Sequence, residues 1–357
     1  MLLLYGGLAI LVYVQFGAGN DYRKNKKLCI WIGVFLFLVS ALKSKYMPGT
    51  DLLSYSKSFY RTLDLTYQRL WTAWRNEEIK DGVFYIVAKF LAERGLTSQA
   101  WMGLIALLFA VGAGWFIFRN SAKPFLSLTL MLSLGFFSFT LSGLRQTMAL
   151  SIVLLFSYDY LLDRRPIAFI LSVVAAALFH SSAILFLAAY PVVTIEFGWK
   201  QLVLVVGMLV VNFLFPNAIR GLIRLIAWSD NIENYANREA SLTWSGFIIQ
   251  MAVLVFCILF RNDMVLDPYL KWRRMDAFLN CMIVGLCLLI FATSIAEMFR
   301  VAYYYNICCI AAVANAVEEN KREANRSTMY IIIAICMVAY MLWSRAFFNL
   351  KFVWELG

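Results

Sequence analysis

Apolar residues gather into runs long enough to cross a bilayer, near residues 1–17, 28–42, 98–118, 124–141, 143–162 and 167–180, then 201–217, 245–260, 277–294, 301–317 and 328–343. A membrane-spanning helix needs about 20 mostly apolar residues, because each residue rises about 1.5 Å through a hydrocarbon core about 30 Å thick. The pattern predicts an all-α, polytopic helical membrane protein of about 11–12 transmembrane helices in a single integral membrane domain over residues 1–357. The exception to the alternation is residues 43–97, the largest polar segment. Within it, residues 82–94 place Val83, Ile86, Val87, Phe90 and Leu91 on one face at helical spacing, with Lys89, Glu93 and Arg94 elsewhere. That spacing predicts a re-entrant or interfacial helix along the outer membrane surface.

Basic residues orient the helices. Arg23, Lys24, Lys26 and Lys27 follow the first run, Arg119 and Lys123 the third, and Arg164 and Arg165 the fifth. Positive loops stay on the cytoplasmic side, which puts the 43–97 loop outside. Arg261, Lys271, Arg273 and Arg274 form a later basic loop, as do Lys321, Arg322 and Arg326. Both are also expected inside, and that parity requires one more crossing between 167 and 245. The expected place is the run around His180, Ser181 and Ser182, where a short or broken helix lining a cavity would solve the length problem. The first run has its basic cluster after it, so it is expected to be a retained helix and not a signal peptide.

Composition agrees with this reading. Of 357 residues, 62% are apolar and 15% charged, with a mean hydropathy of +0.73, which excludes a soluble protein. The net charge of +11 is spread over loops with no basic tail or zinc-finger spacing, so nucleic acid is not an expected partner. The basic loops set the orientation in the lipid bilayer and face its anionic headgroups or phosphorylated substrates. The seven cysteines fall in apolar stretches and never as CxxC, against a disulfide framework or zinc site.

Under this topology four polar positions converge on the outer side: Asp51 after the second run, Arg145 at the start of the fifth, His180, and Arg300 between two late runs. Ionisable groups beside spans are costly and usually face a cavity. Simpler roles stand beside a functional one. Asp51 could cap a helix bearing Leu52, Tyr55 and Phe59. Arg145 and Arg300 could snorkel to the interface, or Arg300 could pair with Glu297. His180 could bond a backbone carbonyl, and Asp159 is expected to pair with Arg164 or Arg165. Trp71, Trp74 and Tyr67 read more readily as an interfacial belt than as a sugar platform.

Four short motifs, GTDLLSY, LRQTMALSI, FHSSAIL and FRVAYYY, occur in an order and spacing that resembles the EpsG-like branch of Wzy-type polysaccharide polymerases, bacterial GT-C-like membrane glycosyltransferases. The resemblance runs from about Asp51 to Tyr305. It implies a polymerase of O-antigen, capsule or exopolysaccharide in the bacterial cytoplasmic (inner) membrane. Its active site would face the periplasm and move a glycan from undecaprenyl diphosphate to the next lipid-linked repeat unit. The flippase and chain-length regulator of the same pathway would be further partners. The positions that match are Asp51, Tyr55, Arg145, Gln146, His180, Ser181 and Arg300, with Tyr304 beside them as a substrate-binding candidate. The chemistry of the residues fits: guanidinium groups match phosphate oxygens in pairs, and Asp51 or His180 could take the proton of an attacking hydroxyl. Asp51, at the mouth of the outer loop, is the favoured base. No nucleotide-binding loop is present, and no metal ligand set is expected because His180 is the sole histidine. No cofactor is expected, with a divalent ion between Asp51 and a substrate diphosphate left open. Two other classes compete: a lipid-linked-sugar flippase or transporter, which would spread charges along a path across the membrane, and a membrane O-acyltransferase.

Overall fold

The computed structural model describes residues 22–215, 244–261, 271–292, 298–318, 323–344, 347 and 349–355. Its elements are helices: α1 (Tyr22–Ala41), α2 (Leu52–Arg61), α3 (Tyr67–Arg75), α4 (Gly82–Ala92), α5 (Ser98–Asn120), α6 (Pro124–Ser133), α7 (Phe136–Thr140) and α8 (Leu144–Ile152). They continue through α9 (Tyr158–Leu162), α10 (Pro166–Ala177), α11 (Ala189–Val193), α12 (Trp199–Leu214), α13 (Ser245–Arg261), α14 (Lys271–Ala292), α15 (Met298–Asn306), α16 (Cys309–Glu318) and α17 (Glu323–Ser344). Among the described residues there is no strand, only an isolated bridge between Lys43 and Phe352. The protein is an all-α membrane protein. Ser98–Asn120 and Arg274–Ala292 are long and apolar enough to cross a bilayer, and shorter apolar helices include Pro166–Ala177, Trp199–Leu214 and Ser245–Phe260.

Two predicted spans are broken. The run 124–141 divides into α6 and α7 at Gly135, whose φ of 80° lies in the left-handed region that glycine adopts without a Cβ penalty. The run 301–317 divides at Ile307 and Cys308 into α15 and α16, with neither glycine nor proline at the break. The run 143–162 stays helical but loosens into a π-helical stretch at Val153–Ser157 between α8 and α9. The predicted span 1–17 lies outside the described residues, as do parts of the basic loops after 261 and 318.

Chain contacts cluster into two units, Met1–Ile184 with Ser327–Gly357, and Leu185–Arg326. In the first, α1 packs along α5, and α5 packs on α8 and the π-helical stretch. Small residues set these distances: a Cβ on Gly114 would sit 3.3 Å from the Cys29 carbonyl oxygen, and one on Gly112 would sit 2.7 Å from that of Ser151. In the second, α14 is the central helix, flanked by α11, α12, α13, α15 and α16.

The 43–97 segment is mostly helical and folds onto the first unit. Ser56 and Ser98 share a hydrogen bond of 2.7 Å, the Tyr60 hydroxyl accepts from the Ser98 N–H at 3.2 Å, and Gln99 Nε2 donates to the carbonyls of Ala41 and Lys43. Helix α4 forms where the 82–94 pattern placed it, but it packs inward through Gly82, Phe84, Ala88, Lys89 and Ala92. Lys89 therefore departs from the predicted polar face. Its ammonium lies 2.7 Å from Glu93, donates to the Thr62 carbonyl and rests over the Tyr67 ring, partners that make its burial tolerable.

Candidate functional site

Helix α8 starts directly after Gly143, so Arg145, its second residue, projects from the first turn. Helix α10 ends at Ala177. Three residues later the His180 N–H closes the final turn on the Ala176 carbonyl, and a 3₁₀ helix, Ser181–Ala188, begins. The break predicted at His180 to Ser182 is therefore real: it frees the imidazole and the Ser181 N–H from helical geometry.

Both groups meet a residue that the sequence reading did not single out. Asp81 Oδ2 accepts from Arg145 Nη1 at 3.0 Å and lies 3.1 Å from His180 Nδ1, while Asp81 Oδ1 accepts from the Ser181 N–H at 2.9 Å. The side chains of Asp81, His180 and Arg145 are 2%, 15% and 26% exposed, so the carboxylate is the buried hub and the guanidinium the most open member. Tyr55 is a further hydrogen-bond partner of Arg145. Tyr85, one turn along α4 from Asp81, is half-buried beside the same charges.

Burial alone would push the Asp81 carboxyl up. The hydrogen bond from His180, the charge of Arg145 and the Ser181 N–H outweigh it and hold the group below the usual carboxylate range. Burial raises the Tyr85 hydroxyl above its ordinary value against the pull of Arg145, so Tyr85 keeps its proton. Asp81 itself has φ 57° and ψ 49°, left-handed backbone that costs an L-residue about 1–2 kcal/mol. Such a cost persists where the surroundings impose it. Next to Asp81, Gly82 lies buried against the root of the Trp74 side chain, so the chain enters α4 at a packed point.

The structure brings together Arg145, His180, Ser181 and Tyr55 of the candidates read from sequence. Gln146 is buried in α8 beside them. Asp51 precedes α2 with an exposed side chain; it makes no capping hydrogen bond and lies outside the hydrogen bonds centred on Asp81. Arg300 and Tyr304 belong to the second unit. Arg300 is half-buried at the start of α15, 5.8 Å from the Phe299 ring, and Tyr304 is fully buried with its ring 6.4 Å from Phe186. Glu297, weighed as a partner for Arg300, lies outside the described residues. Asp159 accepts from the Trp115 indole at 2.8 Å and lies 3.5 Å from Arg119.

A signal for Asp81 did exist: an Asp-Gly pair at the head of an amphipathic run reads as a helix N-cap. The carboxylate makes no cap bond; it is committed instead to partners far along the chain.

Two polar atoms near this hub, Arg145 Nε and Ser182 Oγ, are buried without a hydrogen-bond partner among the described residues. A buried donor left so is costly unless something satisfies it, and both can donate to a ligand oxygen. Among the described residues no group of three or more His, Cys, Asp or Glu is placed to hold a metal ion.

A family model described as the EpsG family matches residues 28–353. The chain belongs to the EpsG family. Neither a curated protein nor a solved structure matches it. Membership of the EpsG family indicates a membrane polysaccharide polymerase of the glycosyltransferase type, and the match spans both units. It includes Asp81 as well as all four motifs noted above.

Proposed function

We propose that this EpsG-family protein polymerises a bacterial surface polysaccharide at the periplasmic face of the inner membrane, moving a glycan from an undecaprenyl-diphosphate donor to a lipid-linked repeat-unit acceptor. The observation that carries the reading is Arg145: a half-open guanidinium with one nitrogen on Asp81, a tyrosine beside it, and a buried Nε free to meet a phosphate oxygen. In the reaction the acceptor hydroxyl oxygen bonds to the donor's anomeric carbon. The bond from that carbon to the diphosphate oxygen breaks, and the diphosphate leaves with the electron pair. Fixed guanidinium donors stabilise that developing charge. Arg145 supplies this.

The hydroxyl proton goes to His180 or Asp51. Geometry favours His180, which is held at a defined position next to Arg145, whereas Asp51 stands exposed outside the hydrogen-bonded set. Placement of the site outside rests on loop charge, since Arg164 and Arg165 mark the opposite ends of the helices that carry Arg145 and His180. Purified protein incubated with lipid-linked repeat units should produce a ladder of longer glycans. Absence of extension by protein that binds the donor would overturn the reading.

A further inference from the structure

The geometry points to Asp81 as the positioning residue of this site: it fixes which nitrogen of His180 bears the proton and sets the direction of the Arg145 guanidinium. The inference deepens the polymerase reading and rests on it for the reaction concerned, but its core is a statement about three side chains.

An ionised carboxylate only accepts hydrogen bonds. Asp81 is held in that form, and its Oδ2 lies 3.1 Å from His180 Nδ1. The proton between them therefore sits on Nδ1, which leaves Nε2 of the neutral ring with its lone pair outward. This is the nitrogen that can take a proton from an acceptor hydroxyl, and a carboxylate behind a histidine is a general way of setting tautomer and ring orientation. The same Oδ2 binds Nη1 of Arg145, so the guanidinium plane is oriented while its Nε–H is left without a partner among the described residues. Oδ1 is taken by the Ser181 N–H, which locks the carboxylate's own rotation. Three donors, from positions 64, 99 and 100 residues away, thus converge on a side chain that is 2% exposed. A helix-capping role does not account for this arrangement, because the cap bond is not made. The left-handed backbone at Asp81 is the local cost of aiming the carboxylate at α8 and the α10 terminus and not at its own helix.

His180 is the protein's sole histidine, so protein labelled with ¹⁵N only on histidine gives one imidazole to read. Magic-angle-spinning ¹⁵N spectra of the full chain in lipid, without substrate, should show Nδ1 protonated and Nε2 unprotonated at neutral to mildly alkaline pH. Asp81→Gly removes the carboxylate yet accepts the left-handed backbone freely; it should lose that signature and give the tautomer mixture of an unheld imidazole. Its kcat for glycan extension should fall about 10–100-fold, the usual effect of losing such a supporting partner. Asp81→Glu should recover part of both. A wild-type spectrum with Nδ1 unprotonated, or one unchanged in Asp81→Gly, overturns the proposal. Should Asp81→Gly fail to fold, the wild-type spectrum decides the tautomer, and Asp81→Asn takes its place as the variant. The expected spectra in a protein that extends no glycan would uphold Asp81's role and overturn the polymerase reading instead.

Discussion

Gly82 is the position where packing and chemistry meet, and Gly82→Ala tests the link. A Cβ there would overlap Trp74 at Cγ and lie 2.5 Å from its Cβ and 2.6 Å from its Cδ2. The clash is with the root of the indole, which cannot swing aside as a chain end would, so α3 and α4 must part. Overpacking of this kind costs about 1–3 kcal/mol. Because Gly82 adjoins Asp81, the displacement passes to the carboxylate, and an error near 1 Å in a reacting geometry can cost about a hundredfold in rate. Melting can be followed with a thiol-reactive dye, since six cysteines are buried and one of them, Cys29, belongs to the same unit as the site. Gly82→Ala should melt several degrees lower and lose most of its extension activity. The decisive measurement is the cycle with Trp74→Ala. Trp74 is half-buried, so its truncation should cost less than the about 3–5 kcal/mol of a fully buried tryptophan. In that background Gly82→Ala should be nearly harmless, giving a coupling of about 1–3 kcal/mol. Additive losses in the double variant would refute the argument that the Gly82–Trp74 contact holds Asp81 in place.

Arg145→Lys should lower glycan extension at least tenfold without loss of protein, because an ammonium cannot reproduce a planar two-nitrogen phosphate contact; a normal rate measured with the purified variant would remove the leaving-group role. In a Cys336→Ser background, cysteine at exposed Lys57 should react with an impermeant thiol reagent in spheroplasts and cysteine at exposed Arg165 should not; the reverse pattern would turn the site to the cytoplasm. Lys43 is only 1% exposed, with Ser40 Oγ 3.4 Å away, and desolvation pushes its amine down from 10.5 to about 7. Between those values the unfolded chain binds a proton that the folded chain lacks, so stability should climb with pH from about 7 toward 10.5. Lys43→Met should flatten that part of the melting-temperature curve, and an unchanged slope would place the effect elsewhere.

Hydrophobic periodicity by itself determined the all-α membrane architecture, since helix formation within an apolar run is a local matter of backbone groups that lipid cannot satisfy. Short-range signals likewise located α4, the break after α10, and Arg145 and His180 as residues with a reason to face polar surroundings. The burial of Lys89 depends on Thr62 and Tyr67, more than 20 residues away, which no local window contains. Asp51 and Asp81 make the point most directly. Each precedes an amphipathic helix, each could serve as its cap, and a sequence window cannot tell them apart. Tertiary structure leaves Asp51 exposed and delivers to Asp81 an arginine 64 residues on, a histidine 99 on and a backbone N–H 100 on. Which carboxylate becomes the hub is decided by where α8 and the end of α10 arrive in space, because a hydrogen bond acts over about 3 Å and carries no trace along the chain.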